Sequence, residues 1–313
     1  MEEYLVTRAH GLKTRLLTRK DYEALIREEK KLTDFEAYRD IDEKAPIEQK
    51  IEKIFNVFSE RLELLCGIAE EYRDVICLYA DKLEIENVKF KLREIYGKRT
   101  KPYFYPYFHH IAVEELKGAV SEGEVWEILG NTPYMRGRKQ PKFITGTVDE
   151  REAFLDSLYY EYARNVVLSL KRKYRDAILE AIDREALITL IYWSTIFKST
   201  LDDLAKRGII SGLIPASFPI RNFDPLRLVR RIGVSPSVVK KHLETNDISS
   251  LMLILENENE KYYVRLSRIF FTGLPYLIYY VNLALNEAFN LERIILGKIL
   301  GIPEEEIFSY IIV

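Results

Sequence analysis

The chain has 313 residues, with 47 Lys plus Arg set against 49 Asp plus Glu, 47% hydrophobic and 31% charged residues, and a formal net charge of −2. That length exceeds one typical domain and the balance is globular, which excludes a disordered chain; without a positive field, nucleic acid is not expected as a partner. Glutamine occurs only at Gln49 and Gln140 amid abundant Glu, Lys and Arg, the compositional drift of thermophile proteins.

Met1-Glu-Glu-Tyr-Leu places acid where a signal peptide needs basic residues, so the chain reads as cytosolic. Leu5, Ala9, Leu12 and Leu16 recur at helical spacing and predict a first helix. Thr18 with Asp21, and Thr33 with Glu36, match the capping box, and each predicts a short helix. Pro46 stands at the start of the next helix, where a missing N–H is tolerated. From Ile47 through Ile51, Ile54, Phe58, Leu62, Leu65, Ala69, Tyr72 and Ile76 to Tyr79 the apolar residues step by three or four, close to a heptad seam. Such a helix extends about 50 Å, with Gly67 beside Cys66 as the place for a kink or an interruption. Cys66 and Cys77, both in helical periodicity, fit neither zinc nor disulfide-framework spacing and read as core thiols.

A second helix, Lys82 to Arg99, is expected to return antiparallel and cover that seam with Ile85, Val88, Leu92 and Ile95. Its pairs Glu86 with Lys89 and Glu94 with Lys98 are expected on the wet side. Thr100 to His110, with two prolines and seven aromatic or His residues, reads as a linker pinned to a neighbouring unit. His109 and His110 are adjacent, so their rings are expected to point apart, and no metal is predicted there. Met135-Arg-Gly-Arg-Lys-Gln-Pro-Lys142 is a compact basic loop, read as solvated, with phosphate, lipid or an acidic face as the alternative contact.

A long helical region runs from Asp149 to Phe197, and Leu201-Asp-Asp-Leu204 carries an isolated carboxylate pair, too sparse for metal-assisted chemistry by itself. Gly208 to Pro225, with Pro215, Pro219 and Asn222, is a second connection. Ile269 to Leu285 is the most apolar run; it is short of the roughly 20 residues a bilayer requires and contains Thr272, Gly273, Pro275 and Asn282, so it reads as a buried helix. Gly301 closes the following helix and Pro303 opens another with acids first.

The Lys82 helix has two counterparts. Glu84, Glu185 and Glu287 align 101 and 102 residues apart, each in a Glu-aliphatic helical setting, and Asn87 and Asn290 follow by three where the middle copy has Ile188. Upstream of each copy the order of parts also repeats, through Leu16-Leu17-Thr18, Leu129 to Pro133, and Leu226 to Ile232 with Ser235-Pro236. This predicts an internal triplication, with helical units at 1–110, 111–218 and 219–313. Glycine-rich phosphate loops, GxSxG elbows, HExxH and CxxC motifs do not occur, so no enzyme activity, nucleotide, cofactor or metal is expected.

His10-Gly-Leu-Lys-Thr-Arg-Leu-Leu-Thr18 with Tyr22, Leu32-Thr-Asp-Phe35, Tyr79 to Arg93, and the ending Gly297-Lys-Ile-Leu-Gly-Ile-Pro-Glu-Glu-Glu-Ile307 together make the chain resemble the C subunit of archaeal-type (A-type, V-type-like) ATP synthases, whose eukaryotic relative is the vacuolar ATPase d subunit. The resemblance spans both ends, while the middle third matches by order of elements. It implies an all-α funnel of three similar units in pseudo-threefold arrangement, and a non-catalytic peripheral subunit on the cytoplasmic face of the membrane. It implies central-stalk subunits and the membrane proteolipid rotor ring as partners, one copy per complex, and no small-molecule substrate.

On this reading Lys82, Glu84, Asn87, Glu185, Glu287 and Asn290 are the candidate partner-binding residues. Ile188 in place of asparagine departs from strict threefold likeness and puts equal contacts by the three units in doubt. Two other functions remain as alternatives: a cytosolic helical-repeat adaptor for protein partners, and a helical metal-dependent enzyme using Asp202 and Asp203.

Overall fold

The computed structural model describes residues 2–98, 103–144, 146–197, 201–215 and 224–312. Pro219, Asn222 and the expected break near 218 lie outside the described residues, as do Thr100 to Pro102 of the first linker. Among the described residues the fold is all-α, with 14 α-helices, 74% helix and no strand.

Local chemistry accounts for most helix ends. After α1 (Glu2–Lys13), Thr18 opens α2 (Arg19–Ile26) with the expected box: the Thr18 amide and hydroxyl both donate to Asp21. The second box does not form. Thr33 lies in a single turn, Leu32–Asp34, and its hydroxyl donates to Glu43, while Asp34 takes the Lys31 amide. The next helix, α3 (Ile47–Ile68), ends where Ala69 leaves helical dihedrals at φ −113° and ψ 48°. A single turn Glu70–Tyr72 redirects the chain into α4 (Arg73–Ile95).

The unbroken seam to Tyr79 is therefore wrong, and the Lys82 segment is no separate helix but the continuation of α4. That helix is buried on nearly every side from Val75 to Leu92, which also overturns the wet-face reading of Lys89: its stem and ammonium are enclosed, as are those of Lys91. Periodicity misread Lys89 because a lysine buries its methylenes as readily as an apolar side chain when a carboxylate meets its head.

Short helices α5 (Val113–Gly118) and α6 (Glu122–Gly130) follow, the latter capped by Ser121, whose hydroxyl accepts from the Glu124 amide. The long region expected from Asp149 is two helices, α7 (Asp149–Leu168) and α8 (Arg172–Phe197), then α9 (Leu201–Lys206). Asp224 caps α10 (Pro225–Ile232), and Gly233, at φ 91°, ends it in the left-handed conformation that glycine adopts without strain. Beyond α11 (Pro236–Thr245) and α12 (Ile248–Ile269), the apolar run is interrupted by a turn, so α13 (Leu274–Ile299) starts at Leu274. Leu274 to Val281 are all buried, and no helix among the described residues is long and apolar enough to cross a membrane. The last helix, α14 (Glu304–Ser309), follows Pro303 with three acids in its first turn.

The chain divides into two compact units, Met1–Ala80 with Pro102–Tyr107 and Val264–Val313, and Asp81–Lys101 with Phe108–Tyr263. In the first, α13 is the central helix, packed by α1, α3 and α14. A Cβ at Gly297 would sit 2.8 Å from Ile307, so the absence of a side chain lets α14 rest on α13. Tyr105 of the aromatic linker packs within the first compact unit: its ring lies 4.5 Å from that of Phe55, and its hydroxyl reaches Glu292 at 3.2 Å. In the second unit α7 and α10 pack on α8. There a Cβ on Gly212 would lie 2.0 Å from the Ser157 carbonyl oxygen, so only glycine lets that turn seat on α7, where its amide donates to the Ser157 hydroxyl.

Candidate functional site

The three aligned glutamates are all buried, at 0% exposure for Glu84, 7% for Glu185 and 1% for Glu287. A buried carboxylate is tolerated only when its oxygens are met by donors. In the first unit Glu287, on α13, accepts from the Tyr38 hydroxyl and the Arg61 guanidinium, both at 2.6 Å, and from the Leu17 amide at 2.5 Å. Burial works to lower the Arg61 pKa, but the Glu287 carboxylate beside it outweighs that and holds it above the usual arginine value. One turn on, the Asn290 side chain both donates to the Ile312 carbonyl at 2.6 Å and accepts from its amide at 3.1 Å, clipping the tail to α13.

In the second unit Glu84 gathers the end of the linker. One carboxylate oxygen accepts from three consecutive amides, His109 at 2.7 Å, His110 at 2.8 Å and Ile111 at 2.9 Å, and the other from the Tyr134 hydroxyl at 2.7 Å. Asn87 is fully buried beside it on α4. Glu185, on α8, accepts from the Lys82 ammonium and the Tyr263 hydroxyl, and Ile188 occupies a buried apolar position one turn on. Of the six candidate residues, only Lys82 keeps a partly open side chain, at 27%.

Lys82 leads into a cleft of about 290 Å³ in this second unit. One wall is α4, whose Lys82, Glu86, Lys89 and Arg93 step by four, three and four and so share a face. The facing wall brings Glu152, Asp156 and Tyr159 from α7 and Thr189, Tyr192 and Trp193 from α8. The charges meet as a ladder. Lys89 donates to Asp156 and Glu86, each at 2.6 Å; Arg93 makes a two-pronged contact with Glu152 at 2.8 and 2.6 Å; Lys82 reaches Glu185. The Trp193 indole N–H adds a bond to Asp156 at 2.9 Å. Burial acts to depress the Lys89 pKa, yet the Asp156 and Glu86 carboxylates outweigh it and hold the ammonium above the ordinary lysine value. Chemically the ladder holds charge in place. Its carboxylates are committed to cations, so the cleft presents a fixed polar surface.

The histidines differ from the expectation. Their rings lie 3.8 Å apart, centroid to centroid, because the linker is neither helix nor strand at this point, and both approach Asp81, which opens the second unit's part of α4. His109 Nδ1 is 3.0 Å from one Asp81 oxygen and His110 Nε2 is 3.8 Å from the other; these ligand atoms lie within 4.8 Å of one another, and among the described residues no other such cluster of three is formed. The three could hold a metal ion, but His109 already bonds Asp81 and His110 Nε2 bonds the Tyr162 hydroxyl at 2.9 Å. Burial raises the Asp81 pKa, against the His109 hydrogen bond that lowers it.

Elsewhere, Asp202 and Asp203 lie exposed on α9, and Asp203 pairs with Arg207, which also holds Glu150 at 2.7 Å. Arg138 of the basic loop is tied to Glu161 and to the Ser211 hydroxyl, leaving Arg136 and Lys139 exposed.

The residues that sequence reasoning missed are the ladder partners Lys89, Arg93, Glu152 and Asp156. Their signal was present: charges on α4 at core spacing, and two acids four apart on the opposing helix.

The chain matches the model of the ATP synthase (C/AC39) subunit family over residues 5–310. No curated protein matches.

Proposed function

The chain belongs to the ATP synthase (C/AC39) subunit family, a family of rotary-ATPase subunits, and from that premise we propose that it joins the membrane rotor ring to the central stalk without itself catalysing a reaction. The observation that carries the reading is the family match across residues 5–310, nearly the whole chain. The proposal has one copy per complex, seated peripherally on the cytoplasmic face of the membrane, with the ring's proteolipid loops on one side and the stalk tip on the other.

The architecture proposed for this task is three repeated helical units, 1–110, 111–218 and 219–313, arranged as a funnel. A rotating joint must resist shear, and packed helices transmit strain better than loops. The aligned residues Lys82, Glu84, Asn87, Glu185, Glu287 and Asn290 enter the proposal as the set that shapes the stalk socket: the buried five hold backbone and neighbouring helices in place, and Lys82, with Glu86 and Arg93 beside it, meets the stalk. The fixed charge ladder of the cleft supports this role, because a polar surface held by ion pairs keeps its shape under load.

Reconstitution tests the reading. With ring and stalk purified separately, leaving out this chain should abolish their association and coupled ion pumping while ATP hydrolysis by the soluble head continues. Ring and stalk joining equally well without it would sink the proposal and favour an adaptor.

A further inference from the structure

Cys66 lies in the last turn of α3 and Cys77 in the second turn of α4, both in the first unit and both buried, at 3% and 4% exposure. On one unbroken helix, residues 11 apart would be separated by about 16 Å along the axis at 1.5 Å per residue. The turn at Ala69–Tyr72 cancels that separation and brings the two sulfurs to 3.4 Å. A disulfide requires about 2.05 Å, so the two sulfurs need approach by only about 1.4 Å to bond. We propose that Cys66 and Cys77 are a disulfide site that locks the α3–α4 turn.

The chemistry balances with a disulfide oxidant, small-molecule or protein. One cysteine thiolate attacks the oxidant's S–S bond, forming a mixed disulfide and expelling one thiolate. The second cysteine, deprotonated, then attacks the sulfur of the first, forming the Cys66–Cys77 bond and expelling the other thiolate. Two protons and two electrons leave the protein, and one oxidant disulfide becomes two thiols. Burial makes the folded pair slow to react, so the bond is set while the chain folds and is afterwards shielded from exchange. The Gln-poor, Glu- and Lys-rich composition is that of thermophile proteins, among which intracellular disulfides are common in the hyperthermophiles. The bond would join α3 to the helix that carries Glu84 and the charge ladder.

The experiment refolds the full chain in a mixture of reduced and oxidised glutathione, quenches with acid, and counts thiols in denaturant alongside the intact mass. The expected result is no reactive thiol, a mass two hydrogens lower and no glutathione adduct, with both thiols returning after phosphine reduction. Reduction should lower the thermal midpoint by about 4 °C. A Cys66→Ala chain should show a midpoint indifferent to reductant; if that variant does not fold, the oxidised and reduced wild-type chains still decide the matter. Two reactive thiols after refolding, a glutathione adduct on either cysteine, or a wild-type midpoint unmoved by reduction would each overturn the assignment.

Discussion

Glu287 in the first unit and Glu84 in the second are aligned in the proposed repeat, and the fold meets their charge in different ways. Around Glu287 the carboxylate is paired with a cation, Arg61, itself only 11% exposed, and assisted by the Tyr38 hydroxyl and one amide. Around Glu84 three successive backbone amides and the Tyr134 hydroxyl do the work. The first arrangement ties side chains of separate helices together. The second fixes the path of a linker, since amides at 109, 110 and 111 can converge on one oxygen only if the backbone curls round it. A buried glutamate thus serves as an ion-pair anchor in one unit and as a template for loop conformation in the other, which is why alignment in sequence alone does not say what a residue contributes.

Four measurements would break or sharpen that contrast. The largest effect is expected from Arg61→Met, which leaves a buried carboxylate without its cation and should cost about 3–5 kcal/mol in urea unfolding; a loss below 1 kcal/mol would remove the ion-pair half of the comparison. Glu84→Gln should cost less, about 1–2 kcal/mol, because the amide oxygen still accepts from the three N–H groups but without charge assistance. Faster amide hydrogen exchange at His109, His110 and Ile111 should accompany it, and unchanged exchange there would contradict the template role. Asn290→Ala removes both bonds to Ile312 and should cost about 1 kcal/mol, with the tail beyond Ser309 becoming the first site of limited proteolysis.

The smallest effect concerns pH. Burial pushes the Glu122 pKa up, but hydrogen bonds from Trp126, Tyr96 and Arg151 prevail and hold it below the usual glutamate value. Its contribution to stability is therefore fully present above the unfolded glutamate pKa of about 4.3 and is lost as pH falls through the lower folded value. Glu122→Gln should lower stability near neutrality, where that contribution is complete, and flatten the profile below the unfolded value, so that wild type and variant converge in acid; a parallel profile would show that another acid governs the slope.

Local signals in the sequence determined a good part of this protein. The apolar period marked the helical character throughout, the Thr18–Asp21 pair determined where α2 starts, Ser121 where α6 starts, and Gly301 with Pro303 where α13 gives way to α14. These act within a turn of helix, so the residues that cause them are neighbours in the chain and can be read in order. The buried glutamates were visible as a repeat, and the family to which the chain belongs was carried by short motifs at both ends. Only the tertiary structure decided what those residues meet. The break at Ala69, the enclosure of Lys89 against Asp156, the convergence of His109 and His110 on Asp81, and the approach of Cys66 to Cys77 each depend on a turn or a partner outside the helical turn in which the residue sits. The physical reason is burial. Whether a charged or thiol side chain is solvated or enclosed is set by which distant segment packs over it, and a sequence pattern of period 3.6 records the face of a helix but not the identity of what covers it.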